Sequence, residues 1–151
     1  MTVKFLHDPP RVSLYKSAAQ SCANDAGLAF GTSVTWDTEA YDDFAMHGAS
    51  SSQMFAPVTG LYCLQASIWF AGNATGVRYI KADINDTTDV AYDRILATGG
   101  TANINCHISV DVQLTEGDFV KIKATQNSGV ALNLIAGFGL CTAQLRWVAQ
   151  S

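Results

Sequence analysis

The feature that most constrains this chain is the recurrence of apolar residues at every second position, in short runs broken by turn-forming residues. The clearest run sets Ile108, Val110, Val112 and Leu114 against His107, Ser109, Asp111 and Gln113. In an extended strand successive side chains point to opposite sides, so the pattern buries one face and leaves the other wet. Leu114-Thr-Glu-Gly-Asp118 follows, with Gly117 free to take positive φ, and then Val120, Ile122 and Ala124 alternate with Lys121, Lys123 and Thr125. This predicts a hairpin with one dry and one wet face.

Upstream, Tyr62, Leu64, Ala66, Ile68 and Phe70 alternate with Leu61, Cys63, Gln65, Ser67 and Trp69. A strand with large residues on its second face too is expected to be buried twice, in the core and against a partner. After a turn over Gly72–Gly76, Ile80, Ala82 and Ile84 alternate with Tyr79, Lys81 and Asp83. Val90 to Leu96 is a weaker strand, 97–105 a loop, and Thr142 to Val148 a last strand with Ala143, Leu145 and Trp147 on one side. With strands near Arg11–Ser17 and Ser33–Trp36, the chain holds about eight to ten antiparallel strands, turning about every ten residues. Helical periodicity is nearly absent. The expectation is an all-β jelly-roll sandwich over residues 11–151, preceded by a short N-terminal arm (residues 1–10) that ends at Pro9-Pro10.

A chain of 151 residues fits one domain and buries enough surface to fold unaided. Only 15% of it is charged, against about 25% in ordinary soluble proteins. That composition suits a surface covered by copies of itself or by another protein, and equally one clothed in Thr, Ser, Asn and Gln. The net charge is −4 with no Lys/Arg cluster, which removes the electrostatic footprint of nucleic-acid binding and of polybasic membrane recruitment. Residues 124–145 carry no charge, but Gln126, Asn127, Asn133, Thr142 and Gln144 and three glycines interrupt them. Two buried strands joined by a glycine turn fit this stretch better than a membrane span. The four cysteines (Cys22, Cys63, Cys106, Cys141) have neither CxxC nor zinc spacing and read as small buried hydrophobes of a reduced chain. Met1 to Pro10 holds no signal-peptide apolar core.

Chemistry has few footholds. His7, His47 and His107 are isolated in sequence; His47 lies beside Asp42 and Asp43, but with no second His or Cys at ligand spacing. There is no G-x-S-x-G elbow, and Gly99-Gly100 lacks the strand–loop–helix setting of a phosphate loop. The acidic groups Asp37/Glu39/Asp42/Asp43 and Asn85/Asp86/Asp89 depart from the calcium-loop pattern and read as solvated turn residues. Asn73-Ala-Thr75 and Asn85-Asp-Thr87 are formal glycosylation sequons whose asparagines suit turns in any case. No catalytic, cofactor-binding or metal-binding residue is assigned, and the chain is not expected to be an enzyme. Trp69, Tyr79 and Trp147 are the candidates for an oligomer interface, with core packing and carbohydrate stacking as the other roles open to them.

One segment resembles a known superfamily. Phe55-Ala-Pro-Val-Thr-Gly-Leu-Tyr62 is similar to the F-x-P-x-x-G-x-Y signature of complement globular heads and tumour-necrosis-factor-like domains. Trp36-Asp-Thr-Glu-Ala-Tyr-Asp-Asp43 with Met46-His47 resembles the loop before that signature, Leu114 to Val120 its L-x-x-G-D-x-V hairpin, and Ala136-Gly-Phe-Gly-Leu140 loosely its C-terminal element. The resemblance spans roughly residues 33–148. Trp-Asp-Thr-Glu, Met-His and Ala71-Gly-Asn-Ala-Thr-Gly-Val-Arg78 look most like the jelly-roll domains of tailed bacteriophages, especially those of actinobacteria. The resemblance implies a homotrimeric virion protein exposed on the particle. A capsid decoration protein docked on the major capsid protein is the first expectation. A receptor-binding head of a tail or head fibre, holding a host glycan or protein, is the alternative. The missing Gly-X-Y stalk, signal peptide and anchor point away from a secreted ligand.

Overall fold

The structure, a computed structural model, describes residues 8–49 and 51–150. The expected arm over residues 1–10 therefore lies outside the described residues except for Asp8, Pro9 and Pro10. The carbonyl of Pro10 accepts the Trp147 N–H at 2.8 Å.

The strands are β1 (Arg11–Tyr15), β2 (Gln20–Cys22), β3 (Thr32–Ser33), β4 (Thr38–Asp43), β5 (Gln53–Phe55), β6 (Gly60–Phe70), β7 (Val77–Ile84), β8 (Thr88–Leu96), β9 (Ile104–Leu114), β10 (Phe119–Gln126), β11 (Leu132–Leu134) and β12 (Thr142–Ala149). No helix occurs among the described residues, and the strands form two antiparallel sheets. The architecture is the expected all-β jelly roll.

The first sheet is built on β6. Its eleven residues pair with β9 along their whole length, from Gly60↔Leu114 to Phe70↔Ile104. Its other edge carries β12 from Leu61 to Ser67 and β11 at Phe70, so these two strands are one line broken by residues 135–141. β1 and β2 continue outward in the same broken way, and β4 closes the edge. These interruptions explain why the strands outnumber the eight to ten expected from the sequence. The second sheet has β10 at its centre, with β3 and β5 on one edge and β7 then β8 on the other.

The inward faces match the alternation closely. Tyr62, Leu64, Ile68 and Phe70 of β6 are fully buried, as are Val120, Ile122 and Ala124 of β10. Together with Cys106, Val112 and Leu114 they form one core between the sheets. Burying one such aliphatic or aromatic side chain contributes roughly 1.5–3 kcal/mol, which is why a few long alternating strands dominate the fold.

Four expectations need correction. The runs 108–114 and 120–124 do not form a hairpin: β9 pairs with β6 and β10 with β7, so the turn at Thr115–Asp118 carries the chain from one sheet to the other. Gly117 N–H to Ala56 O (2.9 Å) and Ala56 N–H to Asp118 O (2.8 Å) tie this arch to the turn before β6. Residues 36–43, expected as a loop, include the edge strand β4, registered on β1. The expected strand near Ser33–Trp36 shrinks to β3, while Trp36 is buried beyond it with its N–H on Ser51 O. Finally, Asp83 and Thr125 are buried instead of lying on a wet face.

Arg78 is the unexpected member of the interior. It shares the inward parity of Ile80 and Ala82 and is fully buried. Among the described residues no carboxylate pairs with it; its guanidinium donates to Thr75 O and Asn73 O, each at 2.9 Å, and so laces the turn between β6 and β7 to the sheet. Burial lowers its pKa.

Two substitutions test this account. Arg78→Lys keeps the charge but loses the fork that reaches both carbonyls, and is expected to cost about 1–3 kcal/mol in urea unfolding. At Gly60 a β-carbon would meet the Trp147 ring and the Ala149 carbonyl. Gly60→Ala is expected to destabilise by about 1–3 kcal/mol in the same assay; unchanged midpoints would show that these contacts yield freely.

Candidate interaction surface

The two sheets do not close on each other along one side. Among the described residues β8 has a strand neighbour only in β7 and β9 only in β6, so there each ends its sheet without a further strand partner. Such edges present unused N–H and C=O groups and are where another chain can add. Between them lies an open groove of about 720 Å³, whose lining includes Tyr79, Val90, Tyr92, Asp93, His107 and Val110. Asp93 bridges it: its carboxylate accepts the His107 backbone N–H at 2.9 Å. Tyr92 is 74% exposed and Leu96 67%, both on β8. The Tyr79 and Tyr92 rings lie 6.1 Å apart, tilted by 44°. The margin thus combines strand edges, aromatic rings and an exposed leucine, the makings of a protein-binding surface.

The three aromatics singled out in the sequence are not brought together. Tyr79 stands on this margin. Trp69 lies on the outward face of β6, opposite Asn105 of β9, and packs partly against the core. Trp147 is registered on Tyr62 and packs at the end of the core where Gly60 makes room for it. Alternation does not single out Tyr92 and Leu96, because β8 alternates poorly, its burial switching where the register with β7 shifts.

The acidic stretches are engaged by the chain itself. Asp37 accepts the N–H groups of Ser17 and Ala18. Asp42 accepts those of Met46 and His47, across a turn where Phe44 and Ala45 have φ of 79° and 52°. Asp43 pairs with Arg11 at 2.8 Å. His47 is buried, its Nδ1 2.9 Å from Glu39 and its Nε2 3.0 Å from the Ser51 carbonyl. Asn85 bonds Asp118 and the Phe119 N–H, and Asp89 pairs with Lys81. Asp86 lies 2.6 Å from Lys121 and 3.1 Å from Lys123, which also pairs with the buried Asp83 at 2.8 Å. The bonds from Lys121 and Lys123 hold the Asp86 carboxyl below its ordinary value. Burial of Lys123 lowers its pKa, yet the pairs with Asp83 and Asp86 outweigh it and leave it raised. Among the described residues no group of three or more His, Cys, Asp and Glu is placed to hold a metal ion. No helix there is long and apolar enough to cross a membrane.

All four thiols are free. Cys22, Cys106 and Cys141 are buried, and burial pushes the Cys106 thiol up to about 12. Cys63 is half-buried on the outward face of the first sheet.

No protein-family model matches the chain, and no curated protein does. Solved structures do. The chain is similar to murine APRIL at pH 5.0 with a TM-score of 0.71 and 13% identity, over 93% of this chain and 99% of that one. It is similar to the Eiger TNF of S. frugiperda with a TM-score of 0.65 and 11% identity, over 96% of each chain. The globular domain of the zebrafish complement 1qA protein gives 0.64 and 10%, over 94% and 99%. The fold is a TNF/C1q-like jelly roll.

The Lys121–Asp86–Lys123 cluster makes a pH prediction. Because the Asp86 pKa is lowered in the folded state, its contribution is complete above the ordinary carboxylate value of 3.8 and is lost as pH falls through the lowered one. Asp86→Asn is therefore expected to flatten the fall in thermal stability on acidification below that value. An identical acid profile for the variant and the parent would refute the assignment.

Proposed function

We propose that this chain is a self-associating interaction protein: a homotrimeric virion component of a tailed bacteriophage, exposed on the particle surface, that decorates the head by docking on the major capsid protein. The observation that carries self-association is the open margin, where β8 and β9 end their sheets among the described residues, Tyr92 stands exposed over a groove and Leu96 is exposed farther along β8. A margin of this kind has no copy of itself opposite unless the chain associates. A head-to-tail contact, in which the margin of one copy meets a different surface of the next, closes into a ring when the rotation allows. The TNF/C1q-like fold is compatible with such a protein-interaction role. The virion setting is supported by the resemblance of Trp36–Asp43, Met46-His47 and Ala71–Arg78 to phage jelly-roll domains. At a lattice three-fold, a trimer would add buried interface between capsomers and so resist internal pressure. That role needs no catalysis.

The second reading, a receptor-binding head, is favoured by one observation. The loops leave Phe30 and Phe138 84% and 80% exposed, and Phe30 overhangs a hollow of about 400 Å³ with Asn24, Asp25 and Thr32 in its lining. Exposed rings beside hydrogen-bonding side chains suit sugars as well as proteins.

Light scattering of the purified chain is expected to give three times the 16.1 kDa protomer mass at micromolar concentration. A protomer mass would remove the trimer. Gel densitometry of purified particles separates the two roles: decoration requires a copy set across the capsid lattice, and an adhesin only a handful at a fibre or tail tip.

A further inference from the structure

We propose that His47 is a proton-operated clasp: its charged ring holds the β4–β5 side of the sandwich closed, and loss of the proton loosens that side. The two ring nitrogens carry the inference. Nδ1 lies 2.9 Å from Glu39 Oε1, and Nε2 lies 3.0 Å from the carbonyl oxygen of Ser51. A carboxylate and a carbonyl only accept, so both contacts are hydrogen bonds when the ring is an imidazolium with two N–H groups. A neutral imidazole has one N–H and leaves its other nitrogen facing an acceptor. The His47 side chain is 1% exposed, which keeps water from bridging that gap.

The ring sits where the two sheets meet. β4 is the edge of the first sheet, and its Asp42 and Glu39 stand opposite the buried Val12 and Leu14 of β1, on the strand's inward side. Inward carboxylates on an edge strand leave no apolar seal. The turn after β4 supplies the seal instead. Asp42 accepts the N–H groups of Met46 and His47, His47 bridges to Met54 of β5, and the Phe55 N–H reaches Met46 O at 2.7 Å. β5 in turn pairs with β10 of the second sheet. Ser51 O accepts the Trp36 N–H at 2.9 Å as well as the ring. Proton loss therefore acts on a joint between the sheets whose own Trp36, Met46 and Met54 are fully buried.

The turn is also strained. Phe44 and Ala45 both hold φ in the left-handed region, at 79° and 52°, which residues with a β-carbon disfavour. The bonds to Asp42 and His47 hold the chain there, so weakening one of them favours release.

The charged groups around the ring come from few elements. β4 brings Glu39 to the ring and Asp42 to the backbone N–H, while Asp43 stands on the other side of the strand with Arg11. β5 brings Gln53, Met54 and Phe55, none of them charged. Beyond the end of β1, Lys16 lies 3.9 Å from Asp37 and donates to Thr35 O at 2.7 Å. Among the described residues His47 is the one ion-pair partner of Glu39, so no other cation replaces the imidazolium. The clasp closes the side of the sandwich away from the margin of β8 and β9, and it does not depend on the self-association proposed above.

The test follows the full chain and its Glu39→Gln variant by NMR as pH is raised from just above the carboxylate range. The ring nitrogen signals of His47 report its charge. Amide protection factors at Trp36, Met46, His47 and Phe55 report opening, with the amides of β6 as reference. The doubly bonded ring exists with the proton bound, so its contribution is present at the low end and is lost as pH rises through the His47 titration. In the parent the four protection factors are expected to fall roughly tenfold or more across that titration, while β6 stays protected. In Glu39→Gln the side-chain amide can donate to a neutral Nδ1, and the fall is expected to shrink. Flat protection at the four amides while the ring titrates would overturn the clasp, as would an undiminished fall in Glu39→Gln. Loss of β6 protection together with theirs would also overturn it, because the opening would then be global. If Glu39→Gln does not fold, the parent's own profile decides.

Discussion

The pairing of β6 on both of its edges underlies everything else in this molecule. Its eleven residues are bonded to β9 on one side and to β12 and β11 on the other, and every inward side chain from Tyr62 to Phe70 is buried. A strand held on both edges and packed on its inward face cannot slip by one residue without turning its entire apolar set outward. The register of β6 therefore fixes that of its neighbours, and through β12 that of β1 and β4. The Phe55–Tyr62 segment sets where this strand begins. Tyr62 donates its hydroxyl to Val58 O at 2.7 Å, and Gly60 leaves the space that Trp147 fills.

The same arrangement creates the surfaces available for binding. The central positions of the first sheet belong to β6, β12 and β1, so its outward face is a broad platform of Gln, Ser, Thr and Cys on which Arg11 and Arg146 converge. The outermost positions on the other side belong to β9 and β8, which leaves the margin beside Tyr92 and Leu96 without a further strand among the described residues. In the second sheet Lys121, Lys123 and Lys81 are matched by Asp86, Asp83 and Asp89. That outward face is already neutralised within the chain. The margin between β8 and β9 stands open and is lined by acidic and aromatic groups.

Legibility in the sequence followed the range of the interaction. The faces of β6, β9 and β10 were readable because parity is a local property: Leu64 and Ile122 are buried for the same reason that they alternate with polar neighbours. Arg78 was readable in principle by the same parity with Ile80 and Ala82, but a charged residue on an apolar face looks like the end of a strand until its carbonyl partners at Asn73 and Thr75 are seen. The binding surfaces were much less legible. Of Trp69, Tyr79 and Trp147, only Tyr79 borders the margin. Arg11 and Arg146 lie at opposite ends of the chain, and no spacing rule joins them.

The sequence by itself determined that this is an all-β chain, which residues of its long strands face inward, and where the turn into the central strand falls. These follow from side-chain alternation and turn stereochemistry, which act over a few residues. Only the tertiary structure decided which strands are neighbours: that the turn after Leu114 crosses between sheets instead of closing a hairpin, that β4 is a strand, and that two distant arginines share one hollow. Alternation says which side of a strand is dry. It does not say which strand supplies the hydrogen bonds along its edges, because those partners are chosen by the packing of the whole sandwich.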